Sequence, residues 1–317
     1  MKKAVLYSPG ISSMNIGDEI IAESAKENLS FVLKNTFPIE ISTHLPLSYY
    51  YMRHFKNAEY KFVLGSNLLK STIFGFKKQW DINLRMAKIT GPVVLVGVGW
   101  WQYNNEPNLY TKLLLKTILS KQYIHSVRDE YTLNMLKSIG ITNVVNTACS
   151  TMWKLDKDHC MSIKSQKSSK VVFTLTDYNK NIEKDTILVK KLCEIYSEVF
   201  YWPQGMEDLE YINALDVDLK GITILQPTLN SFNDILDSND IDYVGTRLHG
   251  GIRALQKKVR TLIIAIDNRA IEKHKTFNLP ILNRDEIDKL NDILNEDIYT
   301  DIRIPEENIK LWKSQFE

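Results

Sequence analysis

The chain has 317 residues, 44% hydrophobic and 25% charged, which is enough apolar material for packed cores and rules out compositional disorder. Its length favours two domains over one. Forty Lys and Arg against thirty-eight Asp and Glu leave a formal charge of +2, so no global basic field exists to hold a nucleic acid, and any anionic ligand must be held locally.

The first unit runs as a buried strand over Ala4–Tyr7, a loop over residues 8–17, and a helix from about Asp18 with Ile21, Ala25, Leu29 and Val32 on one face. Further strands are predicted at Tyr60–Leu64, Val93–Val98 and Tyr123–Val127, the last followed by Arg128-Asp129-Glu130 and a helix ending at Gly140. Between Asp156 and Lys170 the apolar pattern lapses into charged and serine residues, as in a linker. Strands and helices then resume: Val171–Leu175, a helix over residues 183–196, Val199–Trp202, Ile222–Leu225, Tyr243-Val244 and Thr261–Ile266. Ile304-Pro305-Glu306-Glu307 opens a last helix, with Ile309, Trp312 and Phe316 as its docking face. This alternation implies parallel sheets with crossover helices. The predicted organisation is an N-terminal Rossmann-like domain over residues 1–156, a linker over 157–170, a C-terminal Rossmann-like domain over 171–300, and a helix in 301–317 that docks back.

The longest apolar run, Val93–Trp101, is broken by glycines and falls short of the roughly 20 residues a bilayer requires. The N-terminus runs straight into a strand pattern without a cleavage signal. A cytoplasmic protein is therefore expected, with peripheral association at the inner face of the membrane as its compatible membrane role. Cys149, Cys160 and Cys193 have no Cys-x-x-Cys spacing, so neither a disulfide nor a zinc site is expected.

In parallel α/β sheets ligands sit beyond the carboxyl ends of strands, which directs attention to residues 8–18, 65–67, 97–101, 128–129 and 245–251. The last is the most informative. Gly245-Thr246-Arg247-Leu248-His249-Gly250 passes from a strand into a helix, whose N-terminus offers unpaired N–H donors and partial positive charge. Gly250 and Gly251 permit close approach, Arg247 can grip a carboxylate or phosphate with two parallel bonds, and His249 can exchange a proton near neutral pH. The competing reading is a structural arginine paired with an acid and a histidine satisfied by carbonyls. Arg128 either faces the cleft or pairs with Asp129 or Glu130. Asp18 either caps its helix or serves as base for a hydroxyl. Trp100, Trp101 and Trp202 follow predicted strands, where flat rings suit the apolar faces of a sugar, although most aromatics are core. Gly97-Val98-Gly99 lacks the third glycine of a dinucleotide fingerprint. Asp216-Val217-Asp218 and Asp240-Ile241-Asp242 resemble two-carboxylate metal sites but are as easily solvated loops, and no metal is assigned.

Four segments occur in the order seen in polysaccharide pyruvyl transferases: Asn15-Ile16-Gly17-Asp18, Ser126-Val127-Arg128-Asp129-Glu130, Gly245-Thr246-Arg247-Leu248-His249-Gly250 and Ile266-Asp267-Asn268-Arg269. The chain resembles that family over nearly its whole length. The resemblance implies a GT-B-like pair of lobes whose sheets face a cleft. It implies transfer of pyruvate from phosphoenolpyruvate onto two hydroxyls of a sugar, as a cyclic ketal, on a cell-surface polysaccharide or its lipid-linked precursor, without a cofactor. It makes Arg128, Arg247 and Arg269, with Gly245, Thr246 and Gly250, the donor site. His249 becomes the acid/base, assisted by Arg247 and Asp18. Asn15, Asn67, Trp100, Trp101 and Trp202 are left to the acceptor. Arg269 stands where relatives commonly have lysine. Gly65-Ser66-Asn67 replaces a glycine-rich stretch, and Thr147-Ala148-Cys149-Ser150-Thr151 replaces an expected Asp-Pro. The alternatives are a glycosyltransferase of the same fold using a nucleotide-sugar, or a glycan-binding subunit without catalysis.

Overall fold

Ala4, Val5, Leu6 and Tyr7 are all buried, as an unbroken apolar run requires of a strand covered on both faces. In the computed structural model, which describes residues 1–73, 79–101, 106–238 and 240–317 apart from the side chains of Asn268, Arg269 and Glu272, this run lies in β1 (Lys2–Ser8). The chain divides into two units. One comprises Met1–Ser13, Ile21–Trp153 and Pro305–Glu317; the other comprises Met14–Ile20 and Lys154–Ile304.

The first unit contains β1, β2 (Thr36–Ser42), β3 (Tyr60–Leu64), β4 (Val94–Val96), β5 (His125–Val127) and β6 (Val144–Asn146). Four of these form a parallel sheet in the order β2-β1-β3-β4, and β5 pairs in parallel with β6. The seam from β4 to β5 is made largely by side chains. Leu95 N donates to His125 Nδ1 at 3.2 Å and Gly97 N to Ser126 Oγ at 2.7 Å, and backbone pairing resumes where Val98 N reaches Ser126 O. His125 Nε2 lies 2.9 Å from Ser120 O. Because Nδ1 accepts, the proton sits on Nε2 and the ring is neutral; burial lowers its pKa from 6.5 to about 4. The Glu306–Ser314 helix belongs to this unit. Trp312 is fully buried against Trp153, and Phe316 lies edge-on to Phe62 at 5.3 Å and stacks on Tyr123.

The second unit carries six strands: β7 (Lys170–Thr174), β8 (Glu198–Tyr201), β9 (Ile222–Ile224), β10 (Ile241–Gly245), β11 (Arg260–Ala265) and β12 (Ile281–Asn283). Every pairing is parallel, in the order β12-β11-β10-β7-β8-β9. Asp242 of β10 is buried in an ion pair with Arg260 Nη1 at 2.6 Å and accepts a bond from Tyr196 OH, while Asp240 accepts from Ser169. Those carboxylates, considered above as metal ligands, are thus occupied in joining strands. The predicted linker is instead part of the second unit, with Ser165 O accepting from Arg260 Nε and Ser168 N donating to Asp242. Asp156 caps a Lys157–Met161 helix, Cys160 of that helix is buried, and His159 Nε2 lies 2.8 Å from Leu255 O.

Candidate active site

β7 is the first strand of the second sheet; β8 and β9 extend it on one side, β10, β11 and β12 on the other. Growth of the sheet reverses between β7 and β10, and such a switch point is where α/β proteins bind ligands. Thr174, Leu175 and Thr176 lie on one side of this switch point, and Gly245, Thr246 and Arg247 on the other. Cross-links join the two: Thr246 N donates to Thr174 O at 3.0 Å, Arg247 N to Thr174 Oγ1 at 3.3 Å, and the hydroxyls of Thr176 and Thr246 lie 2.8 Å apart. A side chain at Gly245 would collide with Thr174, which accounts for the glycine.

Arg247 adopts extended backbone at the N-cap of the Leu248–Gln256 helix, and its side chain makes no capping hydrogen bond. The first-turn N–H groups of the helix have no intrahelical acceptor. His249 is the second helical residue and half-buried. Gly250 and Gly251 serve the protein itself. A Cβ on Gly250 would stand 2.9 Å from Tyr243 OH and 3.1 Å from Gln204 Oε1, and one on Gly251 2.5 Å from Ile263 Cγ1, so both glycines let the helix lie close on the sheet. Gly250 was expected to face the donor; it is buried against these groups.

The Arg247 guanidinium is already engaged. Only 3% of the residue is exposed. Nε donates to Leu175 O at 2.9 Å and Asp208 Oδ2 at 3.1 Å, and Nη2 donates to Asp177 Oδ1 at 2.8 Å and to Asp208 Oδ1. Two carboxylates around one guanidinium make the cluster formally −1. Burial opposes the arginine's charge, but Asp208 and Asp177 more than offset this and raise its pKa. Asp208, fully buried, also accepts from Gln204 N at 3.0 Å, Gly205 N at 2.7 Å and Asp177 N at 3.2 Å. Burial nonetheless raises the Asp208 pKa, with Arg247 pulling it back in part. Gly205 gives the guanidinium its space, since a Cβ there would run into Nη2.

Asp177, Gln204, Gly205 and Asp208 were not singled out from the sequence. Asp177, Gln204 and Gly205 lie just beyond the carboxyl ends of β7 and β8, so the rule that selected the Gly245 turn, applied to every strand, would have reached them.

The Asn15–Asp18 turn belongs to this second unit, although it was expected in the N-terminal domain. Asn15 Oδ1 accepts from Gly17 N at 3.0 Å and from Gln204 Nε2 at 2.9 Å, and Ile16 N donates to Gln204 O. The helix spans Ile16–Asn28, so Asn15 is its cap and Asp18 lies in the first turn, where a carboxylate favours the dipole. With Nε2 committed to Asn15, Gln204 Oε1 is buried beside Gly250 without a partner among the described residues.

The remaining expected ligands divide. Trp202 cannot offer a face to a sugar: it is fully buried, stacked on Phe232 with centroids 3.8 Å apart, and donates from Nε1 to Thr228 O. Trp100 is likewise buried in the core of the first unit, with Nε1 on Ser71 Oγ at 3.2 Å. Both were drawn inward because an indole gains more from a packed core than from a wet surface. Trp101 is half-buried, with Lys70 Nζ 4.5 Å from its ring. Asn67 follows the left-handed residues Gly65 and Ser66 at the end of β3, and its Oδ1 is buried without a partner among the described residues. Arg128 packs on Gly99 and bonds to Asp129 Oδ2 at 3.2 Å, as its structural reading anticipates. The side chain of Arg269 lies outside the described residues.

The family model of polysaccharide pyruvyl transferases matches residues 15–268. The match spans most of the chain, and the chain belongs to this family. No curated protein matches it. Among solved structures, the UDP-GlcNAc 2-epimerase of Methanocaldococcus jannaschii in complex with UDP-GlcNAc and UDP is similar at 13% identity and a TM-score of 0.53, covering 99% of each chain. The S. aureus MnaA–UDP co-structure is similar at 12% identity and a TM-score of 0.54, covering 95% of this chain and 93% of that one. A Listeria monocytogenes protein described as a UDP-N-acetylglucosamine 2-epimerase gives 12% and 0.53, covering 98% and 94%. At such identity these likenesses establish the fold, an α/β architecture of the GT-B-like kind with parallel sheets, and nothing about substrates.

Proposed function

We propose that this member of the polysaccharide pyruvyl transferase family moves pyruvate from phosphoenolpyruvate onto two hydroxyls of one sugar, as a cyclic ketal, in a cell-surface polysaccharide or its lipid-linked precursor. The observation that carries the reading is the position of Arg247 and His249: the Gly245–Gly250 segment, one of the four on which the resemblance rests and inside the range the family model matches, falls at the switch point of the second sheet, where α/β folds bind ligands.

The chemistry needs charge placement and proton transfer. A sugar hydroxyl adds to the enol carbon and its proton is passed on, while the methylene carbon takes up a proton and becomes methyl. His249, half-buried at the start of its helix, is the group to which we assign this exchange. The C–O bond to phosphate then breaks as the second hydroxyl closes the ring, and that hydroxyl's proton leaves with phosphate. No redox cofactor or obligatory metal enters the reaction so written.

Arg247 must be reconciled with its two carboxylates. Asp208 is wholly enclosed and ties down three backbone N–H groups, whereas the Asp177 side chain is 17% exposed and holds only the outer nitrogen. In the proposed reaction the donor's carboxylate displaces Asp177 from Nη2, Asp208 stays, and the first-turn N–H groups of the Leu248–Gln256 helix meet the phosphate. Arg269, after β11, is the further cation assigned to the donor. Because phosphoenolpyruvate is a cytoplasmic metabolite, the reading places the protein in the cytoplasm, beside the membrane where its acceptor is lipid-linked.

The test is incubation of the full chain with phosphoenolpyruvate and a panel of galactosides and N-acetylhexosamines, followed by mass spectrometry for a pyruvyl adduct. Thermal-shift measurements run beside it. Stabilisation by phosphoenolpyruvate and not by UDP or other nucleoside diphosphates agrees with the proposal; the reverse pattern rejects it in favour of a nucleotide-sugar donor.

A further inference from the structure

The Tyr49–Phe55 helix of the first unit turns Met52 and Phe55 inward and leaves Tyr49, Tyr50 and Tyr51 outward, at 40%, 57% and 58% exposure. Three adjacent tyrosines on a surface are costly unless something covers them. Their neighbours are basic. The Arg53 guanidinium lies 4.2 Å from the Tyr50 ring centre, and that of Arg85, on the packed Leu84–Thr90 helix, 4.4 Å from the Tyr49 ring. Lys56 and Lys88 are exposed on the same two helices' residues or just beyond them, and Leu45 is exposed ahead of the first helix. The described basic residues on or next to these two helices are Arg53, Lys56, Arg85 and Lys88, and the acids between Tyr49 and Thr90 are Glu59 and Asp81, in a chain whose net charge is only +2. Glu59 is itself neutralised by Lys2 at 2.9 Å.

From this combination we infer that the Tyr49–Phe55 and Leu84–Thr90 helices form a surface that docks on an anionic phospholipid bilayer. Tyrosine rings settle at the interface between headgroups and acyl chains, with their hydroxyls toward water, and arginine and lysine stems lie along apolar surface while their heads meet lipid phosphates. Among the described residues no helix is long and apolar enough to cross a membrane, so the contact is peripheral. A polyanion such as single-stranded nucleic acid is less suited to the surface. It requires ring faces on which bases can stack, and one face of Tyr49 and of Tyr50 already carries a guanidinium. The inference does not depend on the donor or the reaction.

The experiment is co-sedimentation of the full chain with phosphatidylcholine vesicles, with and without phosphatidylglycerol, at low and high salt. Three double variants accompany the wild type: Arg53→Gln/Arg85→Gln, Tyr50→Ser/Tyr51→Ser, and Lys190→Gln/Lys220→Gln as a distant control, each checked for folding by circular dichroism and thermal unfolding. Binding is expected only with phosphatidylglycerol present. Removing each cation should lower partitioning about fivefold at low salt. The tyrosine pair should weaken binding at both salt concentrations, because its contribution is not screened. The control should match the wild type. Failure to bind phosphatidylglycerol vesicles, or equal binding by wild type and both patch variants, overturns the inference. So does heparin binding that outcompetes vesicles and ignores the tyrosine substitutions, which would identify a polyanion surface. Since the readout is lipid partitioning, a negative result leaves the proposed reaction untouched, and loss of the reaction leaves this result standing.

Discussion

Replacing Asp177 and Asp208 separately by asparagine should have opposite consequences, because they hold the same guanidinium for different purposes. Asp208→Asn removes charge from a fully buried position where one carboxylate accepts three backbone N–H groups and faces Nε and Nη2 of Arg247. The asparagine amide must point its own N–H groups at some of these donors. Removing one partner of a buried ion pair costs about 3–5 kcal/mol, and the surviving bond from Arg247 to Asp177 argues for about 3. In a unit of this size that is roughly 6–12 °C in Tm. Asp177→Asn removes a partly exposed carboxylate bonded at 2.8 Å to one nitrogen, and should cost about 1 kcal/mol of stability. It also removes the competitor for Nη2, so phosphoenolpyruvate should bind up to about tenfold more tightly, the equivalent of one charge-assisted hydrogen bond at the low end of its range. Differential scanning fluorimetry and titration calorimetry on both variants read these quantities. If Asp177→Asn weakens donor binding, Asp177 is no place-holder. If Asp208→Asn melts within about 2 °C of the wild type, the buried pair does not hold this site together, and the argument from burial fails.

Three further outcomes are expected. His249→Asn should lower turnover by about 10²–10⁴ while leaving the melting temperature and donor affinity near wild type, as for loss of a proton-transfer group; unchanged turnover would remove it from the reaction. Gly205→Ala places a methyl against Nη2 of Arg247 and 3.2 Å from Asp177 Oδ2, and should cost about 1–3 kcal/mol in urea unfolding together with most of the activity. His125 supplies a pH dependence. Its folded pKa of about 4 lies below the ordinary 6.5, so the stability it contributes is complete above pH 6.5 and falls as the unfolded chain takes up its proton, by about 3 kcal/mol on reaching pH 4. Asp185 and Asp208, whose pKa values burial raises, act in the opposite sense over the lower part of that range, but they do so equally in a His125→Gln variant. The difference between wild-type and variant unfolding free energies at pH 7 and pH 4.5 therefore isolates the imidazole, and equal pH slopes would contradict the buried neutral ring.

Of the strands legible in the sequence, β1, β3, β7, β10 and β11 are buried along most of their length, as in a parallel sheet covered by helices on both faces, whereas β9 gave a strand signal although only its Ile222 is buried. β2 did not. It lies at the edge, contains Pro38, and is mostly half-exposed beyond Thr36, so it has no apolar run, and its short alternation of Phe37, Ile39 and Ile41 is interrupted by the proline. β6 and β12, three residues each, were not predicted either. Val93–Val98 was expected as one strand, but pairing as a strand is confined to Val94–Val96, and Gly97 turns away with φ +62°. The Lys157–Met161 helix inside the predicted linker buries a single residue, and one buried residue gives no periodicity. At the site, the motif identified the turn but not its counter-ions, which come from loops after β7 and β8 whose partners are fixed only by strand order. The assignment of Asn15 failed differently. Chain order put it with its neighbours in β1, while hydrogen bonds to Gln204 and Gly17 put it with the second sheet.

An arginine beside a helix N-terminus looks, in sequence, like an open receptor for anions. Burial makes that arrangement untenable by itself. Removing a guanidinium from water costs several kcal/mol unless a counter-charge accompanies it, and a site shielded enough to strengthen a bond to a small donor is shielded enough to incur this cost before the donor arrives. The second unit meets the difficulty with two carboxylates of unequal enclosure. The enclosed one, Asp208, also fixes Gln204 and Gly205 and so sets the geometry of the loop beside the helix; the other is reachable by solvent and can be exchanged. With Asp208 alone remaining, the pair is formally neutral, and incoming charge is met by helix N–H groups rather than by a surplus of cations. A chain with an overall charge near zero can then hold an anion without a basic surface. In the proposed reaction the structural and functional readings of Arg247 are not rivals: the ion pair that stabilises the fold before binding would present the guanidinium, already oriented, to the donor.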